Sequence, residues 1–212
     1  MLNCARWPLI FLPLAAMGCA GGDGARAEAG SPAAVAAWRT MATTTDRERV
    51  RTWRDAWTQA LTQISAAGET AKLTPLGSLM QPDAALPSPV PPPGDYVCRV
   101  YKLGSRNPGG PVFTANPEFT CRITQEKDML SLAKLGGAQK PVGFLFPNDE
   151  SRMIFLGTMM LGDERRALDY GSDPERDMAG ALERVEPKRW RLILPFPHWE
   201  STLDVIELVP KS

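Results

Sequence analysis

Three groups of residues in this chain have the makings of chemistry: its cysteines, its single histidine and one dense run of acids. Cys19 closes the run Ala15-Ala16-Met17-Gly18-Cys19, behind an apolar stretch at residues 7–17 that follows one positive charge, Arg6. Small residues just ahead of a cysteine suit lipoprotein processing, in which the chain is cut before a thiol that carries diacylglycerol. The stretch is too short to span a bilayer and contains Pro8 and Pro13, so a cleaved signal is the better reading. Residues 1–18 are thus expected to be a signal peptide, Cys19 the lipidation site and residues 19–31 a tether, flexible through Ala20-Gly21-Gly22-Asp23-Gly24. Ordinary secretion, with cleavage near Ala27 or Ala29, is the alternative. Ala20 in place of an acid after the cysteine points to a periplasmic protein held at the outer membrane, against the alternative of a soluble periplasmic or secreted one.

Cys98 and Cys121 remain once Cys4 leaves with the signal. In an oxidising compartment such a pair reads as one disulfide, with two reduced core cysteines as the other possibility. His198 lies in Pro195-Phe196-Pro197-His198-Trp199-Glu200, whose prolines predict a turn. A serine or cysteine nucleophile needs an activating base, and a lone turn histidine reads as a surface residue. There is no G-x-S-x-G, phosphate loop, H-E-x-x-H or C-x-x-C. The expectation is a non-enzyme without metal or cofactor.

The acid run is Asp169-Tyr170-Gly171-Ser172-Asp173-Pro174-Glu175-Arg176-Asp177. Alternating oxygens can wrap calcium, but the spacing is not that of an EF-hand and Arg176 places a cation in the middle. Two readings stay open. One is an Arg–carboxylate network that pins a loop. The other is a partner-binding rim of Tyr170, Asp173, Arg176 and Asp177, joined by His198 and Trp199 of the turn. Charge excludes a nucleic-acid partner: 24 basic residues face 24 acidic ones, and loss of residues 1–18 removes only Arg6.

These groups need elements to position them. Residues 32–81 read as helical. Thr45-Asp46-Arg47-Glu48 has the form of a capping box, and Val50, Trp53, Trp57, Leu61 and Ile64 follow as an apolar stripe that ends at Gly68. Residues 82–94 hold Pro82, Pro87, Pro89, Pro91, Pro92 and Pro93, after Pro75 upstream, and read as a stiff linker. Residues 95–212 read as a β domain with strands at 96–103, 118–125, 129–135, 142–147, 153–161, 177–185, 189–195 and 202–209. Phe119/Cys121/Ile123 alternate with polar neighbours, as a half-buried strand requires. Short sequential strands with tight turns make an antiparallel meander. The expected fold is therefore α+β and mainly β: a helical segment, then an eight-stranded up-and-down barrel, with a two-sheet sandwich as the alternative. Phe144, Phe146, Met153, Phe155, Met159 and Met160 are candidates to fill the interior or line a cavity in it.

Several of these segments resemble the bacterial envelope family known as domain of unknown function 4893. They are the run from Gly94-Asp95-Tyr96-Val97-Cys98-Arg99 to Gly104, Phe119-Thr120-Cys121-Arg122, Phe155-Leu156-Gly157, Tyr170-Gly171, Arg176-Asp177-Met178-Ala179-Gly180, Trp190-Arg191-Leu192 and the closing 203–210. The resemblance runs from about Trp38 to the C-terminus and implies an exported protein, with no activity to transfer. In strand pattern alone the β part is similar to calycin-like barrels, among them secreted metalloprotease inhibitors. The functional expectation is a lipid-tethered binding or interaction module that acts through its barrel loops, with an envelope protein as one candidate partner. Alternatives are a carrier of a small apolar ligand and a hydrolase with an unrecognised acid pair.

Overall fold

A computed structural model describes residues 32–211 of the 212 and their side chains from Ala37 onward. The expected signal peptide (residues 1–18), Cys19 and the whole expected tether (residues 19–31) lie outside the described residues. Three helices come first: α1 (Pro32–Met41), α2 (Thr44–Arg51) and α3 (Trp53–Ala66), followed by 3₁₀ turns at Thr70–Lys72 and Thr74–Met80. Eight strands follow: β1 (Gly94–Leu103), β2 (Phe113–Glu126), β3 (Met129–Lys134), β4 (Gln139–Pro147), β5 (Arg152–Leu161), β6 (Asp177–Glu186), β7 (Arg189–Pro195) and β8 (Leu203–Pro210). Each pairs antiparallel with the next, and β8 returns to β1, closing the barrel. The chain has the eight-stranded up-and-down barrel, and no open two-sheet sandwich.

Closure sorts side chains by parity. Tyr96, Cys98 and Val100 of β1, Leu130 and Leu132 of β3, Leu192 and Leu194 of β7, and Ile206 and Leu208 of β8 all join one interior core. Met153, Phe155 and Met159 join them, whereas Phe146 packs outward with Trp38 and Phe144 is exposed. Phe144 and Phe146 therefore stand outside the barrel: in β4 the odd positions, Leu145 among them, face inward. The Phe155 ring covers Gly143 and Gly157 from inside. A Cβ at Gly157 would stand 2.3 Å from the Val142 carbonyl oxygen, so only glycine permits β4 and β5 to approach so closely.

The helices coat one outer wall. Ala56, Trp57, Ala60 and Ile64 of α3 pack on Tyr101, Leu103, Ile193, Leu203 and Val205, the outward residues of β1, β7 and β8. Trp38 and Ala42 pack on Ile154, Leu156, Ala179 and Ala181 of β5 and β6. Strands under the helices are buried on both faces and so read as near-continuous apolar runs, while β2 faces water and alternates.

The α2 cap lies two residues earlier than the capping box of the sequence. Thr43 is the cap, accepting from the Asp46 N–H at 3.1 Å, and Glu48 instead pairs with Arg51. The apolar stripe is also broken at Thr52, whose hydroxyl donates to the Glu48 carbonyl at 2.8 Å and lets α2 and α3 lie on different strands. Gly68 ends α3 in a Schellman turn, with Glu69 N–H bonded to the Ile64 carbonyl and Gly68 N–H to that of Ser65.

The proline-rich segment is a strap across one end of the barrel. Trp190 Nε1 donates to the Pro89 carbonyl at 2.9 Å, the Tyr96 hydroxyl to that of Pro92 at 2.6 Å, and Arg184 to that of Pro87. Tyr96 and Trp190 meet edge to face beneath it. Cys98 and Cys121 form the disulfide across β1 and β2, Cα atoms 5.7 Å apart. A bridge closing a loop of this size stabilises by about 3 kcal/mol in the chain-entropy account.

One charged pair fixes strap, helices and barrel together. Arg191 and Glu183, both with fully buried side chains, face outward from β7 and β6 under the helical layer. Arg191 gives Nε and Nη2 to Glu183 Oε2 at 2.8 and 2.6 Å, and its remaining donors to the carbonyls of Ser78, Leu79, Gln81 and Pro82. Arg152 holds the other oxygen of Glu183. Replacing Arg191 by Met is expected to lower unfolding free energy by about 3–5 kcal/mol, since it leaves one oxygen of a buried carboxylate and four carbonyls without their donor. Arg191→Lys should recover little, because an ammonium has three donors and no fork. Urea unfolding checks this, and a loss under about 1 kcal/mol for Arg191→Met would contradict it.

Candidate functional site

The end of the barrel opposite the strap is open, and its opening follows from two breaks in the ladder. Between Arg99↔Glu118 and Tyr101↔Ala115 the register shifts, so that β2 carries an extra residue at Asn116-Pro117. Pro117 has no N–H to give the ladder, and a bulge there bends the strand. Pairing of β2 with β3 ends at Cys121↔Lys134, and pairing of β3 with β4 at Ala133↔Val142. Above these points the strands part around the turn that holds Gly136 and Gly137.

The resulting cavity has a volume of about 580 Å³. Its floor is the top of the interior core, Val100, Met159 and Ile206, extended by Phe119 and Pro141. Its walls carry charge. Lys102 Nζ lies 3.2 Å from both Asp204 Oδ2 and Glu200 Oε2. Ser201 Oγ donates to Asp204 Oδ1 at 2.5 Å. Burial pushes the Asp204 carboxyl up from the ordinary carboxylate range, against the opposing pull of Lys102 and the Ser201 hydroxyl.

Across the cavity Lys134, 5% exposed, gives its ammonium to the carbonyls of Gly136 at 2.5 Å and Gln139 at 2.8 Å. The Phe119 ring centroid is 3.8 Å away. The turn is fitted around that ammonium: a Cβ on Gly137 would come within 2.9 Å of Nζ, and its φ of +80° favours glycine. Burial, then the charges of Lys140 and Lys102, push the Lys134 pKa down to about 8.

None of the six rim residues singled out in the sequence lines this cavity. They lie on the other side of the same barrel end. The Tyr170 hydroxyl donates to Asp46 Oδ2 at 2.6 Å and accepts the Thr43 N–H, tying the β5–β6 loop to α2. Arg176 gives Nη1 to Glu164 Oε1 at 2.7 Å and lies 3.4 Å from Asp173. Asp177 accepts the Gly171 N–H, its backbone carbonyl accepts from Arg49, and burial raises its carboxyl pKa. His198 Nε2 is 3.7 Å from Glu175, and Trp199 packs on the interior core.

Lys102, Lys134, Ser201 and Asp204 escaped the reading of the sequence. A signal for them exists: Lys102 continues the inward series Cys98/Val100, Lys134 continues Leu130/Leu132, and Asp204 precedes Ile206/Leu208. Charges at inward positions of three strands, all at one end, mark a polar mouth. No group of three or more potential metal ligands occurs among the described residues.

A family model described as "Domain of unknown function (DUF4893)" matches residues 38–208. The chain belongs to this family. The DUF4893 match begins at Trp38, on the helix that packs on β5 and β6, and ends at Leu208 in the closing strand. It therefore takes in helices, strap and barrel as one unit. No curated protein and no solved structure matches the chain.

Proposed function

We propose that this protein is a binding protein of the bacterial envelope, tethered through lipid on Cys19, that holds a small ligand in the open mouth of its barrel. The observation that carries the reading is the cavity of about 580 Å³, roofless at the mouth and floored by Val100, Met159 and Ile206. Small-molecule sites commonly occupy about 300–1,000 Å³ and combine apolar walls with a few placed polar groups. A rim acting on an envelope protein draws less support, because Tyr170, Asp173, Arg176 and Asp177 are engaged within the chain. Hydrolysis draws less as well: the Ser201 hydroxyl is bonded to a carboxylate, and no imidazole is among the lining residues.

Asn116 sits at the mouth and is only partly buried, so a large ring there should plug the cavity at little cost to folding. The neutral fluorophore N-phenyl-1-naphthylamine is expected to bind the wild type and to bind Asn116→Trp about tenfold more weakly or worse, with the melting temperature unchanged. Equal binding by both proteins, or none by the wild type, would contradict the proposal. For the tether, Cys19→Ala is expected to shift the protein from the membrane fraction to soluble extract, as loss of the acyl chains removes the anchor. A wild type that is already soluble rules the tether out.

A further inference from the structure

The two cavity lysines differ in one respect. Lys102 is neutralised in place by Asp204 and Glu200, each 3.2 Å away. Among the described residues Lys134 has no carboxylate partner: its two bonds go to carbonyl oxygens and its third contact is the face of Phe119. That leaves one N–H and a whole positive charge on a side chain 5% exposed that lines a cavity. Carbonyl dipoles and a ring ease the burial of an ammonium, but a buried charge is compensated fully only by a counter-charge.

From this we infer that the ligand carries an acid group, a carboxylate on a small apolar body, and that the carboxylate pairs with the Lys134 ammonium. This rests on the binding reading above and names its ligand class. The apolar body would lie on Val100, Phe119, Pro141, Met159 and Ile206, which form the floor beside Lys134. One uncompensated ammonium matches a monoanion. A phosphate would call for an arginine fork or a cradle of backbone N–H groups, and the lining residues include no arginine.

The charged groups around Lys134 are Lys102 on β1, Lys140 on β4, whose ammonium caps the Gly162 carbonyl at 2.6 Å, and Glu200 and Asp204 beside Lys102. With a pKa lowered to about 8, Lys134 is charged at pH 7 and mostly neutral at pH 9. Binding of an anion draws on the charged form, so its affinity must fall as pH rises through that range, whereas a neutral ligand is indifferent.

Octanoate and 1-octanol, matched in chain length, test this by calorimetry on the folded protein. At pH 7 octanoate is expected to bind about tenfold more tightly than octanol, the scale of one charge-assisted contact. Octanoate affinity should drop about fivefold between pH 7 and pH 9, towards that of octanol, while that of octanol stays level. Lys134→Met should abolish the preference and keep octanol binding, and Lys134→Gln serves in its place if the Met variant does not fold. Octanol bound as tightly as octanoate in the wild type, or a preference that survives in the variant, would overturn the acid assignment alone. If neither compound binds, the ligand cavity itself falls with it.

Discussion

The buried Arg191–Glu183 pair is the constraint around which the other parts are arranged. Taking two charges out of water costs several kcal/mol each, and that cost is offset only when every donor and acceptor is satisfied. Arg191 meets this condition with partners from three places: Glu183 on the neighbouring strand, four carbonyls between Ser78 and Pro82, and the Trp57 face of α3 at 5.4 Å. The segment with those carbonyls leads directly into the proline strap. Its position fixes where Pro89 and Pro92 meet Trp190 and Tyr96, and so closes one end of the barrel. The helices are thereby a wall of the domain, continuous with it in packing and in hydrogen bonding.

With one end covered by the strap, the cavity lies at the other, and local chemistry opens it there. Pro117 removes a ladder donor, the Gly136-Gly137 turn follows, and β2 and β3 part beyond the bond from the Leu135 N–H to the Thr120 carbonyl. Below that level the disulfide and the Tyr96–Trp190 contact keep the interior filled. The polar groups of the mouth sit on strand ends of this rigid body, where packing holds them in place, and preorganisation of that kind would limit the entropy lost on binding the proposed ligand.

The strand pattern was legible because period-two alternation and turn residues survive in β1, β2 and β8. Its limits were physical. The starts of β2 and β4 lie several residues ahead of the sequence assignment, because Asn116-Pro117 and Pro141 read as breakers and yet sit inside strands as a bulge and as a cavity lining. Phe146 reads as interior filling on hydrophobicity alone, but a strand sandwiched between helices and core buries both faces, so parity and not hydrophobicity decides its side. The disulfide was legible from the expected compartment and the cysteine count. The mouth was not, since Lys134, Lys102 and Asp204 are far apart in sequence and ordinary in type. Only barrel closure brings them to one end. The acid run drew attention by density, and density there comes from bonds within the chain: Arg176 to Glu164 and Asp173, and Asp177 to Gly171.

The proposed ligand enters this mouth and no other recess. A rival lies among Trp38, Arg47, Arg51, Trp53 and Arg152, a groove of about 390 Å³ between the helices and β5. Methyl NMR during titration with octanol separates the two directly. Entry at the mouth is expected to shift Val100, Met159 and Ile206 and to leave Val50 and Ile154 unmoved. Shifts confined to Val50 and Ile154, or spread evenly over the surface, would contradict it.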